Sequence, residues 1–314
     1  MLRYSLRRFG QSIVTVFIVM TMVFLLMRLL PVEGYFADSY DKMTPEVRLA
    51  VLKSLGLTDP WYKQLTRFYG MLLHGDLGDS IIIQKNVPVA KILAAKVPYS
   101  VRFGLAAVVI SLGGGLAMGI TQAREKGKFW DKLWSGYIVF VNAVPAAVYL
   151  LFIQLYVTQI TRIPLLYDKH RPISWVLPAL SMSLGGMAGY ALWMRRYMVD
   201  ELNKDYIKLA RAKGMSNKAV MVKHVLRNAF VPMAQYLPAS VLFTISGSIY
   251  IESLYSIPGM GGLLVDAIQR QDNTLVQALV LIFSTVGIVG LFLGDVLMAI
   301  VDPRIKLEKK GGSR

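Results

Sequence analysis

The chemistry open to this 314-residue chain is limited first by what it lacks. There is no cysteine, so neither a thiolate nucleophile nor a disulfide is available. The three histidines, His74, His170 and His224, fall in three separate polar segments, which leaves no shared metal site. No G-x-x-x-x-G-K-[ST], H-E-x-x-H, C-x-x-C or G-x-S-x-G pattern occurs. Phosphate-loop nucleotide binding and the common hydrolase layouts therefore have no residues to carry them, and no catalytic or metal-ligating residue is assigned. Two carboxylates stand out, Glu252 and Asp295, within or beside long apolar runs. Facing lipid at mid-bilayer, each would cost ~2.5–3.5 kcal/mol, so they are expected to face a bundle, a partner or an interface. Glu252, near the end of its run, is expected to meet a basic group, and Asp295 a partner across helices. Ion coupling through these two is the sharper alternative, although no histidine or lysine is buried beside them to complete a relay.

The other chemistry-bearing stretch is Asp200 to Pro232, polar between two apolar runs and carrying Lys204, Lys208, Arg211, Lys213, Lys218, Lys223 and Arg227. Asp205 to Lys213 contains good helix formers and no β-branched run. Gly214 ends that helix as a left-handed C-cap would, and Ser216 is placed to N-cap a second one. Cations on such a segment usually mark a solvated face. The small residues Ala210, Ala212 and Gly214 would also let a partner's backbone approach closely, with the cations giving steering and register.

The elements that must position these residues follow from hydropathy. Hydrophobic residues make up 55% of the chain and charged residues 17%, a mixture that points to a polytopic membrane protein with charged loops. Six apolar runs reach the roughly 20 residues a bilayer core requires, at 10–30, 98–122, 133–160, 173–194, 229–253 and 274–300. With the N-terminus inside, the inside segments hold 21 Lys and Arg and the short outside loops only 4. Both termini are thus expected to be cytoplasmic, and the net charge of +16 reflects topology and not a nucleic-acid footprint. The first run is too long for a signal core and reads as an uncleaved helix, with Arg28 snorkelling at its outer end.

Residues 31–97 form the expected external insertion. Thr44-Pro45-Glu46 starts one helix that Gly56 ends, and Asp59-Pro60 starts another with Trp61, Leu65, Phe68, Tyr69 and Leu72 on one face. Gly115/Gly119, Gly185/Gly189 and Gly290/Gly294 are spaced for close helix crossing. Pro145, Pro178 and Pro238 lie inside runs as candidate hinges. Ile257-Pro258-Gly259-Met260-Gly261-Gly262 is too glycine-rich to continue a helix, and Leu263 to Gln269 can form a short amphipathic one.

Lys208-Leu209-Ala210, then Gly214 after three residues, with Pro232 downstream, resembles the EAA-loop signature of ABC importer permeases. The stretch DYIKLARAKGMS…KHVLRNAFVP looks like the peptide/nickel branch, where Lys208 and Leu209 replace the generic Glu and Ala. GLTDPWYKQ, the later GDLG-S and ESLYSIPGMGGL resemble the same branch, specifically the subunit with the larger external segment. The resemblance covers most of the chain. It implies an all-α, six-span, type I ABC importer permease with an external helical insertion between spans 1 and 2, in the bacterial cytoplasmic membrane. The expected division is 1–30 N-terminus and first span, 31–97 insertion, 98–300 five-helix core containing the coupling loop 200–232, and 301–314 cytoplasmic basic tail.

The resemblance further implies a coupling helix of Asp205, Tyr206, Leu209, Ala210, Arg211, Ala212, Lys213, Gly214, Met215 and Ser216, docking into a cytoplasmic ATPase. It places a candidate outer gate at Glu252, Tyr255, Pro258, Gly259, Met260 and Gly261. The implied partners are a second, similar permease subunit, two ATPases that bind ATP and Mg, an external solute-binding protein and membrane lipids, with no cofactor on this chain. The cargo would be di- or oligopeptides, with nickel chelates or sugars as alternatives. An ion-coupled secondary transporter would work without an ATPase and predicts an inverted repeat, and the first and last three spans show none. A membrane receptor or assembly factor that conducts nothing is a third reading.

Overall fold

A computed structural model describes residues 2–29 and 31–301. The expected basic tail lies, from residue 302, outside the described residues, as do residues 1 and 30. The fold is almost wholly helical. Helix α1 spans Leu2–Arg28. After two short 3-10 turns, the insertion contributes α2, Pro45–Ser54, and α3, Trp61–Leu73. Gly56, with φ +68°, ends α2 in the left-handed region, and the Gly56 and Leu57 amides donate to Lys53 and Leu52 carbonyls. Thr44 occupies the N-cap of α2 as expected, without a side-chain hydrogen bond. A two-residue antiparallel pair, β1 (Asp79–Ser80) and β2 (Val87–Pro88), closes the insertion. On the face expected for α3, Phe68 and Tyr69 pack on Phe24 and Phe17 of α1, but Trp61 is exposed.

Helix α4 runs Val89–Arg124, 36 residues, so it starts nine residues before the expected span and takes them from the insertion. Its first turns need the coverage: Val89, Ile92 and Leu93 are buried against Leu263, Leu275 and Leu279. The third apolar run is not one rod. Helix α5 (Phe129–Ala143) and helix α6 (Ala146–Phe152), which passes through a π turn into α7 (Thr158–Thr161), bend by 113° at Val144-Pro145. Pro145 has no N–H to continue the α5 ladder and keeps Val144 extended. Pro178 instead sits in the first turn of α8 (Val176–Leu202), and Pro238 lies inside a continuous helix.

Beyond α8 come α9 (Asp205–Ala212) and α10 (Asn217–Val220), then α11 (Arg227–Ile245), α12 (Ile249–Leu254), α13 (Met260–Gln269) and α14 (Asn273–Val301). Five described helical segments are long and apolar enough to cross a bilayer, and the bent α5–α7 pair makes a sixth. Two sequence expectations change here. The fifth run, 229–253, breaks after Ile245 at Gly247, whose φ is +99°. Its other end reaches further back, because α10 and α11 join through a π turn at Met221–Leu226 with no interruption.

Close crossings hold the bundle together. A Cβ on Gly115 would lie 2.7 Å from the Tyr190 Cβ, and one on Gly119 2.7 Å from the Ala191 carbonyl oxygen, so α4 and α8 meet backbone to backbone. Gly290 of α14 meets Ala239 of α11 at 2.7 Å in the same way, with Gly294 against the Gln235 carbonyl. Gly185 and Gly189 depart from expectation, since a Cβ built on either would meet no neighbouring element within 4 Å among the described residues. Gly186, about 100° further round α8, meets Ser111 of α4 instead.

Candidate functional site

The coupling segment sits at the end of the bundle away from the insertion. Lys204 is extended at the N-cap of α9, Asp205 stands in the first turn, and the Lys208 ammonium is 2.9 Å from the Asp205 carboxylate. At the other end the Gly214 amide donates to the Arg211 carbonyl (2.9 Å) and the Met215 amide to the Ala210 carbonyl (3.2 Å). This is the paired-bond left-handed cap, and it requires φ +80° at Gly214. A Cβ at Gly214 would meet nothing within 4 Å among the described residues, so the glycine is there for its backbone and not for space. The Ser216 hydroxyl accepts from the Ala219 amide (3.3 Å) and caps the next helix.

Ile207 and Ala210 are buried among Met194, Met198, Val220 and Val225, which fixes α9 on the end of α8 and on α10 and the π turn that follows it. Ala210 thus belongs to the inward face, a correction to the expected docking set, because the residues three apart at 207 and 210 share one side of the helix. Met215 is half-buried beside it. Asp205, Tyr206, Leu209, Arg211, Ala212, Lys213, Gly214 and Ser216 are exposed, with Leu209 at 56%. Ile207, the buried anchor, was not among the expected residues, although its position between Asp205 and Lys208 is an amphipathic signal.

Tyr206 ties three elements together. Its hydroxyl donates to the Glu201 carboxylate at the end of α8 and accepts from Asn228 Nδ2 of α11 at 2.8 Å. Burial, and then the Glu201 contact, hold that phenol above its usual pKa, so it remains a neutral donor. A second brace stands nearby. Arg195 of α8 makes a bidentate pair with Asp131 of α5 at 2.7 and 3.0 Å, and Asp131 also accepts from the Gly127 amide.

The candidate gate residues gather into a closed knot. Glu252 is fully buried on α12, past the break in α11, and the expected basic partner is not there among the described residues. Its carboxyl instead accepts from Ser100 Oγ of α4 (2.8 Å) and from the Gly261 (2.7 Å) and Gly262 (3.3 Å) amides at the start of α13. The N-terminal amides of a ten-residue helix supply what a cation was expected to supply. Ser100 Oγ in turn accepts from the Met260 amide at 2.8 Å. A Cβ on Gly259 would collide with the Glu252 carboxyl, so this glycine is a matter of space. Tyr255 is buried, its hydroxyl 2.8 Å from Ser181 Oγ of α8 and its carbonyl accepting from Tyr167. Met260 and Gly261 are buried, and Pro258 is half-exposed.

Asp295 sits elsewhere, on α14, where Gln235 Nε2 of α11 donates to it at 3.4 Å. Asp272 has no local signature in the sequence. That carboxylate is buried and accepts from Ser80 Oγ (2.5 Å) and from the Ile82 (3.1 Å) and Ile83 (3.0 Å) amides, clasping the insertion to the start of α14. Arg28 turns under the insertion, where Nη1 donates to the Tyr35 hydroxyl at 3.1 Å.

Five to six spanning helices, a capped helix standing off one end and a helical insertion at the other define an integral-membrane permease subunit of the type I ABC importer fold. A solved structure described as an amino acid ABC transporter shares this fold, with a TM-score of 0.53 at 15% identity over 69% of this chain and 95% of that one. Residues 115–307 match the family "Binding-protein-dependent transport system inner membrane component", and the chain belongs to it. It is 32% identical over 308 residues to the dipeptide transport system permease protein DppB of Lactococcus lactis, covering 98% of this chain and 100% of that protein. Bacillus subtilis DppB is 33% identical over 316 residues, covering 99% and 100%. The oligopeptide transport system permease protein AmiC of Streptococcus pneumoniae is 37% identical over 216 residues, covering 67% of this chain and 42% of its own length.

Proposed function

We propose that this chain is the peptide-conducting permease of an importer in which separate ATPase subunits bind ATP and Mg. It pairs with a second, similar permease and receives cargo from an external solute-binding protein. The insertion faces outside and α9 faces the cytoplasm, a reading the Lys and Arg distribution supports. Peptide cargo is supported by the full-length relatives named for dipeptide transport.

The observation that carries the coupling role is the continuity of the helix behind α9. Its cap at Gly214 leads through Ser216 into α10, the π turn and α11 without a break. π turns recur at functional sites, where an inserted residue lets a helix re-pack. Closing of the ATPases on ATP would draw α9 inward, and α11 would carry that displacement toward α12 and the Glu252 knot. ATP drives the change only through its differential affinity for the two states. The open face at Gly185 and Gly189 is the surface proposed for the second permease.

Tagged chain purified from native membranes, with ATP hydrolysis assayed beside a Gly214→Asp variant, tests this reading. Co-eluting ATPases that are lost or uncoupled in the variant support it. A chain that elutes with no ATPase sinks it.

A further inference from the structure

Under the insertion lies a cavity of about 690 Å³, walled by α1, α2, α3, the loop around β1 and the first turns of α14. That size suits a small-molecule site, for which ~300–1,000 Å³ is usual. Three side chains in its wall hold buried polar atoms with no hydrogen-bond partner among the described residues. They are both amide atoms of Asn273, Nε of Arg28 and Oε1 of Gln64. Asn273 is 2% exposed. Gln64 has its orientation set, since Nε2 donates to the Asp59 carbonyl at 2.6 Å and leaves Oε1 as a fixed acceptor. Unpaired buried amides are costly and rare, so each asks for a reason.

The unpaired groups form a pattern. Asn273 offers one donor and one acceptor side by side, the complement of a peptide unit's C=O and N–H. Arg28 offers a guanidinium to a carboxylate. Asp79 lines the same cavity and suits an ammonium group, while Phe24 supplies apolar wall. Charges of both signs fit a zwitterion, whereas an anionic lipid headgroup would call for cations alone.

We propose that this cavity is a receiving site for a short peptide with free termini, Arg28 taking its carboxylate and Asn273 a backbone amide. The assignment rests on the peptide reading above and adds a site distinct from the Glu252 knot. The Asn273 amide atoms are themselves closed off, so this site requires the loop clasped by Asp272 to lift from the start of α14, where a Cβ on Gly78 would sit 2.9 Å from the Thr274 methyl.

Trialanine is the probe, titrated into the purified transporter in lipid nanodiscs without the external binding protein. The expected result is saturable binding, weakened about tenfold or more by Asn273→Leu. Arg28→Gln should weaken trialanine by a similar factor yet leave trialanine amide unchanged. If Asn273→Leu does not fold, the Arg28→Gln comparison decides. Absence of trialanine binding to the unaltered transporter, or equal loss of both probes in Arg28→Gln, overturns the proposal. So does native mass spectrometry showing a phospholipid that Arg28→Gln releases. Labelled-peptide uptake by the full system separates the two readings: uptake without nanodisc binding removes this cavity alone, and the absence of both removes peptide cargo.

Discussion

Replacing Glu252 with alanine tests whether the gate region is held as a closed knot. The carboxyl accepts three hydrogen bonds, from Ser100 Oγ, Gly261 N and Gly262 N, at 2.8, 2.7 and 3.3 Å. At about 1 kcal/mol each, the value for uncharged groups, their loss sets a floor of about 3 kcal/mol, and a charged acceptor roughly doubles it. The amides at Gly261 and Gly262 would also be left without their acceptor in the interior. Local opening of residues 256–265 should then become easier by about 3 kcal/mol, which is about 10²-fold in hydrogen exchange under conditions where exchange reports the opening equilibrium. Glu252→Gln keeps the shape and one acceptor oxygen, so it should lose about 1 kcal/mol, a factor of about five. Exchange mass spectrometry on the purified protein, with peptides covering 256–265 and a reference segment in α8, reads both. If protection in 256–265 is unchanged in the alanine variant, the knot does not hold the gate and the reasoning fails.

Gly214→Val should cost about 1–2 kcal/mol locally, because φ +80° is disfavoured for a residue with a Cβ, and should uncouple ATP hydrolysis from uptake while the chain still reaches the membrane. Wild-type uptake in this variant would remove the cap from the coupling mechanism. Asp272→Ala should free the loop at 80–84, and limited trypsin digestion should then cut after the exposed Lys85 about tenfold faster. Gly290→Leu should destabilise the chain by forcing α14 off Ala239, at a cost of about 1–3 kcal/mol. Gly185→Leu should leave the chain's own thermal stability intact and break its association with the second permease, a contrast that thermal unfolding and co-purification read together.

The devices legible in the sequence were those written in neighbouring residues. Six apolar runs, the asymmetry of Lys and Arg, the Gly56 and Gly214 caps and the Ser216 N-cap each depend on a few adjacent positions. Hydropathy, charge and the demand for positive φ are local properties. The family signature around Lys208 to Gly214 was legible for the same reason. What the tertiary structure alone decided was who meets whom. Glu252 was expected to find a cation and instead found Ser100, 152 residues away, and the amides that begin α13. No local pattern marks Asp272, because its partner Ser80 lies 192 residues earlier in the chain. Three glycine pairs shared one spacing, yet only the two whose face turns toward another helix of this chain are packed. Spacing fixes which residues share a face of a helix, but the direction of that face is set by the packing of the whole bundle. A buried polar group takes whichever donor that packing delivers, and so the gate knot and the cavity beneath the insertion arise from chain segments that no local pattern links.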